Sequence, residues 1–472
     1  MERCRIGLIG GGAASALLVL QLLKRLRHSR SVVEIFLFEA KADQYLRGIA
    51  YATLTPDHIL NVPSAQMSAF ADDPEHFRRW LEVSFGAEET ARVPFVPRYL
   101  FGRYLEETLQ AHLATVPDGV FYYPVIGEVR EIRRADGKWS VRCADGFDVR
   151  LDKLVFATGN MRPRKPAEIL DRAARHPRYF TTPWNLHNHQ WPARYSVLFV
   201  GTGLSMIDGV VHLAKLKHQA RLVAFSRKGL LPLPHGSSGV PFSFGSDFFL
   251  GARPGSGEVR DVVRKLRAAV REHEKRGGVW QDVIAALRPH AARIWGGWSQ
   301  VSRRRFLRHV KSYWEVLRHR LPLETLQIVE DLRVNGQLEV RADRLHSIDH
   351  DGSRFIVQWR DHASPEFFDV VVNSTGPSGD FRKAPHSAFA RLFEDGHLRP
   401  DMNGLGLEVN SDLNIINNIY LIEKDLYAIG ALTKGRFWEV TAIPDIRVQA
   451  EKIARDLIQS TSPVTNLGLS PG

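Results

Sequence analysis

Cysteine is nearly absent from this chain: Cys4 and Cys143 are the only two in 472 residues. Two thiols so far apart in sequence build no disulfide framework, no thiolate metal site and no Cys-x-x-Cys redox pair. The dithiol mechanism of the disulfide reductases is thereby excluded, and a reducing, cytoplasmic setting is expected. Long hydrophobic runs are missing too. The most apolar stretch, Ala13 to Leu23, follows a glycine turn and leads into KRLRHSR without a cleavage-type site, so it reads as a helix rather than a signal core. No segment is long enough to span a membrane. Acid is outnumbered as well, with 64 Lys and Arg against 52 Asp and Glu for a net charge of +12. That basic surface suits polyanionic cofactors or acidic small molecules. With no nucleic-acid module in the sequence, no nucleic-acid partner is expected.

What is present centres on IGLIGGGAAS, Ile6 to Ser15, an apolar run followed by three glycines and small residues that open an apolar helix. This is the pattern of the first strand, turn and helix of a dinucleotide-binding fold. Gly10 allows the tight turn, Gly12 lets backbone approach a pyrophosphate, and Ser15, in place of the usual third glycine or alanine, lets the helix pack closely while its first amides face phosphate. The second apolar strand, IFLFEA, ends in Glu39, where an acid can hydrogen-bond an adenosine ribose.

Further along, Asp72 or Asp73 as N-cap with Pro74 at the first helical position predicts a helix to Val83. A second helix is expected over Pro97 to Thr115, with an apolar stripe of Leu100, Tyr104, Leu105, Leu109 and Leu113. From Val129 the residues alternate around the turns Ala135-Asp136-Gly137 and Ala144-Asp145-Gly146, and close on an apolar strand ending in Thr158-Gly159.

A second strand, glycine turn and helix follows in SVLFVGTGLSMIDGVVHLAKL, with Gly201, Gly203 and Ser205 at the three turn positions. Its next strand ends in Ser226, Arg227 and Lys228 rather than an acid, which favours the extra phosphate of NADP over the free ribose hydroxyl of NAD. Residues Leu230 to Arg320 interrupt this second fold with a Gly-, Pro-, Ser- and Phe-rich loop and then helical segments full of arginine and tryptophan. They read as an inserted helical lid or substrate-binding subdomain, part of whose aromatic content is core. Leu345 to Gly376 then repeats the plan of Val129 to Gly159, alternating strands around an Asp-Gly turn followed by an apolar strand and Thr-Gly. Two copies of glycine turn, meander and Thr-Gly argue for two related dinucleotide folds.

The expected fold is therefore α/β, with two Rossmann-like dinucleotide-binding domains in a glutathione-reductase-like arrangement and a helical insertion. The boundaries read as 1–165 with 377–472 for an FAD domain and 190–376 for an NAD(P)H domain, with the insertion at 230–320. A final strand running to Gly430 precedes a helix that begins near Pro444, with Ile446, Val448, Ile453 and Leu457 on its apolar face. Its N-terminus would set partial positive charge against a bound group.

Two nucleotide sites without a dithiol suggest FAD plus a nicotinamide donor. The residues that carry a family resemblance are Gly10, Gly12 and Glu39, Gly48 to Tyr51, and Asn61, Met67, Phe70, Asp73 and Pro74. They resemble the flavin-containing monooxygenases and their Baeyer-Villiger and amino-acid N-hydroxylating relatives, in which an Asn-x-x-Lys-x-x-Met-x-Phe-x-Asp-x-Pro pattern lies beside the flavin. The lysine of that pattern is Ser64 here, and the relatives' Phe-x-Gly-x-x-x-His is not reproduced in RYFTTPWNLHNHQW, where Phe180 and His187 are spaced differently. The match is closer to a bacterial family labelled FAD/NAD(P)-binding protein, through LNVPSAQMSAF, GTGLSMID, SRKGLLPLPH, NSTGP and FWEVTAIPDIR.

The resemblance implies an NADPH-dependent flavoprotein monooxygenase, in which oxygen adds at the flavin C4a and one atom passes to a small molecule, such as the amine nitrogen of an amino acid. Asn61 inherits the catalytic role of supporting the oxygenated flavin. The expected cofactor-binding set is Gly10, Gly12, Ala14, Ser15, Glu39, Tyr51, Asn61, Met67, Ser68 and Gly159, then Gly201, Gly203, Ser205, Arg227, Lys228 and Gly376, and finally Gly430, Trp438, Ala442 and Pro444. Trp184, His235 and Glu439 complete the candidate pocket, and no metal site is expected. Two alternatives stay open: a flavin dehydrogenase or reductase passing electrons to a partner or quinone, and a non-enzymatic redox sensor. A homo-oligomer is equally open.

Overall fold

In a computed structural model of the chain, which describes residues 3–27, 31–216, 219–245, 248, 258–380 and 387–459, the apolar run Arg3–Ile9 is an inner strand of a six-stranded sheet. From edge to edge the strands are Asn414–Ile416, Ile422–Ala428, Lys153–Phe156, Arg3–Ile9, Val32–Glu39 and Val120–Ile126. All neighbours are parallel except the outermost pair, Asn414–Ile416 and Ile422–Ala428. Parallel strands are covered on both faces, which is why VVEIFLFE reads as a nearly unbroken apolar run. The exception within it is Glu34, buried and paired with Arg3 and Arg5. A three-stranded antiparallel meander, Val129–Ala135, Lys138–Cys143 and Asp148–Leu151, lies between the edge strand and Lys153–Phe156 in sequence.

The chain divides into two units. The first is Met1–Asn160 with Gly379–Gly472, and the second is Met161–Ser378. In the second, the sheet order is Leu338–Ala342, Gln219–Ser226, Arg194–Val200, Val370–Asn373 and Tyr179–Phe180, all parallel, with the meander Leu345–His350, Phe355–Trp359 and Glu366–Phe368 beside it in sequence. The segment 230–320 contains the helices Glu258–Lys275, Trp280–Ala286, Ala291–Gly297, Gln300–Arg305 and Lys311–Arg318, with a π-turn at Phe306–Val310. Trp295, Phe306 and Trp314 are buried there as core. Residues 246–247 and 249–257 of its loop lie outside the described residues. Among the described residues no helix is long and apolar enough to cross a membrane.

Several sequence expectations are corrected. The helix expected from Pro74 begins at His76 and ends at Phe85, because the Asp73 carbonyl accepts both the Ser68 hydroxyl (2.6 Å) and the His76 amide (3.3 Å) and holds Pro74 in a turn. The C-terminal helix runs Ile443–Gln459, and Val448 is 55% exposed on it. Two residues from Ile446 is about 200° around a helix, so Val448 falls opposite the buried row Ile446, Ala450, Ile453 and Leu457. The strand Val120–Ile126, which contains Pro124 and pairs only along one side, went unread because an edge strand with mixed exposure carries little pattern.

One consequence for stability sits in the second unit. Burial pushes the Glu366 carboxyl upward, but Arg341, Arg221 and the Trp359 indole N–H overcome it and hold it down at about 2. A carboxylate depressed on folding stabilises the protein above its unfolded pKa and loses that contribution as pH falls toward the folded value. The second unit is therefore expected to lose about 2 kcal/mol between pH 4.5 and 2 from this group. Thermal unfolding of Glu366→Gln across that window should show a flatter acid limb than the wild type.

Candidate functional site

In the first unit the turn after Arg3–Ile9 is closed by the Gly10 amide donating to the Phe38 carbonyl at 3.0 Å. Gly10 has φ +96°, and a Cβ there would lie 2.7 Å from the Ala157 carbonyl oxygen and from Thr158 Cα. The turn is thus glycine for two reasons, conformation and the backbone of the neighbouring strand end. Gly12 caps the helix Ala13–Leu26 with no side chain on its first amides, and a Cβ on Gly12 would come within 3.1 Å of Gly48 Cα. Uncapped N-terminal amides are the donors a pyrophosphate uses. Ala14 is half-buried in the first helical turn. Ser15 is fully buried, and its hydroxyl donates to the Gly10 carbonyl at 2.5 Å, so it fixes the turn rather than presenting itself to a ligand.

Glu39 accepts from the Gly11 amide at 3.0 Å and the Lys41 amide at 3.1 Å. Burial pushes its carboxyl above the usual range, with those amides working in the opposite direction. Gly159 is the third element of this cradle: a Cβ on it would meet nothing within 4 Å. Beside it the buried Thr158 Oγ1 has no hydrogen-bond partner among the described residues. An unsatisfied buried hydroxyl next to open space and uncapped helix amides fits a nucleotide with oxygens to share.

The other expected residues of this unit fall into two groups. Tyr51 ends the short helix Gly48–Tyr51, packs on Phe101 with ring centroids 5.0 Å apart, and has its phenol pushed up to about 12 by burial. Asn61 is half-buried in the loop after Leu60. Met67 is core, and the Ser68 hydroxyl closes its own loop by donating to the Asp73 carbonyl and accepting from the Phe70 amide at 3.0 Å. Ser64, where the family pattern has lysine, is buried, with its amide on the Pro94 carbonyl. Toward the C-terminus, Gly430 donates to Gln449 Oε1 at 2.8 Å, and Gln449 Nε2 donates to the Thr433 hydroxyl at 3.0 Å. Trp438 is buried with φ +65°, a left-handed conformation uncommon for a bulky residue, and Lys434 lies 4.8 Å from its ring. Glu439 and Pro444 are half-buried. The Ala442 carbonyl accepts the Asp445 and Ile446 amides at the helix start.

The second unit builds a comparable turn. The Gly201 amide donates to the Phe225 carbonyl at 2.8 Å, its φ is +115°, and a Cβ there would lie 2.4 Å from the Ser374 carbonyl oxygen. Gly203 caps the helix Leu204–Lys215, again without a side-chain cap, and faces open space. Ser205 is half-buried in its first turn, and Gly376 also borders open space. The buried Ser374 Oγ has no partner among the described residues. At the end of Gln219–Ser226 the two cations diverge. Lys228 Nζ donates to the His309 carbonyl at 3.4 Å and sits 3.9 Å from the Tyr313 ring centroid, whereas Arg227 is exposed and makes no hydrogen bond or ion pair among the described residues. Trp184 and His235 belong to this unit, His235 with its amide on the Leu321 carbonyl at 2.9 Å, while Asn61, Met67, Trp438 and Glu439 belong to the first.

Sequence reading missed Thr158 and Ser374. The only sign of them was the repeated strand-end Thr-Gly, which does not say which hydroxyl is left unsatisfied.

Residues 7–161 match the FAD-NAD(P)-binding family. No curated protein matches the chain. Among solved structures, the fold is similar to an ornithine N-hydroxylase from Kutzneria sp. 744, described with reduced FAD, NADP+ and L-ornithine (TM-score 0.67, 16% identity over 98% of this chain and 100% of that one). It is equally similar to the L-lysine 6-monooxygenase of Pseudomonas syringae (TM-score 0.67, 16% identity, 97% and 99% covered). It also resembles a bacillithiol disulfide reductase from Staphylococcus aureus (TM-score 0.56, 11% identity, 98% and 100% covered). At these identities the likeness establishes the fold, an α/β architecture with Rossmann-type nucleotide-binding units, and leaves the chemistry to the residues.

Proposed function

We propose that the chain is an NADPH-dependent flavoprotein monooxygenase that hydroxylates the amine nitrogen of a small metabolite, with FAD in the first unit and NADPH in the second. The observation that carries this reading is the pair of glycine cradles, one ending in the acid Glu39 and the other in the exposed cation Arg227, which makes no hydrogen bond or ion pair among the described residues. When bound, FAD supplies hydride acceptance and oxygen activation. The chain's own residues bind and shield. Glu39 takes the adenosine ribose, Arg227 the 2′-phosphate of NADPH, Asn61 supplies an amide donor near the reacting edge, and buried Met67 and Trp438 keep water out. A disulfide reductase shares the fold, but Cys143 is buried with its thiol pushed up to about 11 by burial and by Asp145 and Asp148, and no Cys-x-x-Cys pair exists in the sequence.

The test is coupled turnover of holoprotein with NADPH, air and L-ornithine, L-lysine or cadaverine. A hydroxylated amine should form for each NADPH consumed. In Asn61→Ala, flavin reduction should keep its rate while product per NADPH falls at least about tenfold and hydrogen peroxide takes its place. Wild-type turnover that yields only hydrogen peroxide with every amine would return the assignment to a reductase.

A further inference from the structure

Arg320 stands at the end of the inserted helices, between Lys311–Arg318 and the helix Leu323–Val334, and is only 7% exposed. Its Nε is buried without a hydrogen-bond partner, and the guanidinium makes no hydrogen bond or ion pair with any described residue. Burial, with Arg318 adding repulsion, pulls it down to about 10 despite the attraction of Asp282. A guanidinium has five N–H donors and cannot shed its charge under ordinary conditions, so leaving it buried and unmatched is costly. Proteins keep such an arrangement where something else completes it.

The surroundings narrow down what that is. Trp280 covers the guanidinium at 5.9 Å from ring centroid to Cζ. Asp282, the nearby carboxylate, has its Oδ2 committed: that oxygen accepts from the Ser238 hydroxyl (2.5 Å), His273 (3.0 Å) and the Val279 amide (3.3 Å). The backbone carrying Arg320 is itself fixed, since Leu321 exchanges hydrogen bonds with Leu233 and His235 at 2.9 Å each. The site is a rigid planar fork with one face covered and a negative charge nearby. That charge works against a dianion and leaves a singly charged carboxylate as the favoured guest, matched in geometry to the fork.

We propose that Arg320 and Trp280 form a binding site in the second unit for the carboxylate of a small organic acid, independent of the redox chemistry. Arg320→Met removes the unmatched cation and keeps a side chain of similar length. Thermal unfolding of the full-length holoprotein is compared with and without butyrate, L-lysine, cadaverine and inorganic phosphate. In the wild type, butyrate or L-lysine should raise the midpoint by about 3 °C at saturation, while cadaverine and phosphate leave it in place. Arg320→Met should melt at or above the wild-type temperature and lose the carboxylate response. Should that variant fail to fold, Arg320→Lys, which keeps the charge without the fork, is expected to lose at least half of the shift. No response of the wild type to either acid, a response to phosphate alone, or a full acid response in the variant that folds would overturn the proposal. Because the readout is binding, it can fail while amine hydroxylation stands, and the reverse.

Discussion

Replacing Gly10 by alanine is expected to give protein that purifies without flavin. The new methyl would lie 2.7 Å from two backbone atoms, the Ala157 oxygen and Thr158 Cα, and 2.9 Å from the Ala157 carbonyl carbon. None of these can swing aside as a side chain would, because the strand leading to Ala157 is hydrogen-bonded between two parallel neighbours and the Ala157 amide itself donates to the Ile9 carbonyl at 2.8 Å. The left-handed backbone adds about 1–2 kcal/mol of its own. The total should exceed about 3 kcal/mol and open the turn that carries the pyrophosphate donors, which lowers flavin affinity at least about a hundredfold. Gly201→Ala strikes the second unit in the same way, with the methyl 2.4 Å from the Ser374 oxygen, and should spare the flavin while abolishing its reduction by NADPH. Gly203→Ala is the control that separates fold from ligand. It faces open space at a negative φ, so its melting temperature should match wild type even as the apparent KM for NADPH rises. Flavin absorbance per protein and anaerobic reduction traces distinguish the three. Full flavin occupancy in Gly10→Ala would remove the first turn from the FAD site.

What the sequence made legible is what local rules control. The glycine turns, the Asp136-Gly137 and Asp145-Gly146 corners and the unbroken apolar strands could be read because each follows from backbone conformation or two-sided burial within a few residues. Glu39 was found by its place at a strand end, and its hydrogen bond from the Gly11 amide places it beside the turn. The misread features depend on distant partners. Pro74 sits in a turn because of the Ser68 hydroxyl, and Val448 faces solvent although it is apolar. Composition marked segment 230–320 as arginine-rich, yet nothing local separates Arg320, buried under Trp280, from the exposed Arg304, Arg305 and Arg308. Likewise Arg227 and Lys228 are adjacent cations in sequence, and only the inserted helices tell them apart.

That difference between Arg227 and Lys228 gives the second large effect, a loss of coenzyme preference confined to one of the two residues. An arginine fork on a phosphate contributes two charge-assisted hydrogen bonds, and removing it costs about 2–3 kcal/mol of binding, or roughly 30- to 150-fold in affinity. Arg227 is exposed and uncommitted among the described residues, so its whole donor set is available to a 2′-phosphate. Lys228 is already held by the His309 carbonyl and the Tyr313 ring, and reaching a phosphate would mean giving up both. Arg227→Ala should therefore raise the KM for NADPH in flavin reduction by about 30- to 150-fold and leave the KM for NADH unchanged, since NADH carries no phosphate at that position. Lys228→Ala should change the NADPH value by less than about fivefold, the remainder of its effect being long-range charge. Salt supplies an independent check: the NADPH KM of the wild type should rise with ionic strength, and that rise should be much shallower in Arg227→Ala. If the two substitutions have equal effects, or if NADH and NADPH lose equally in Arg227→Ala, then the phosphate is read by other residues and Arg227 is only a surface charge.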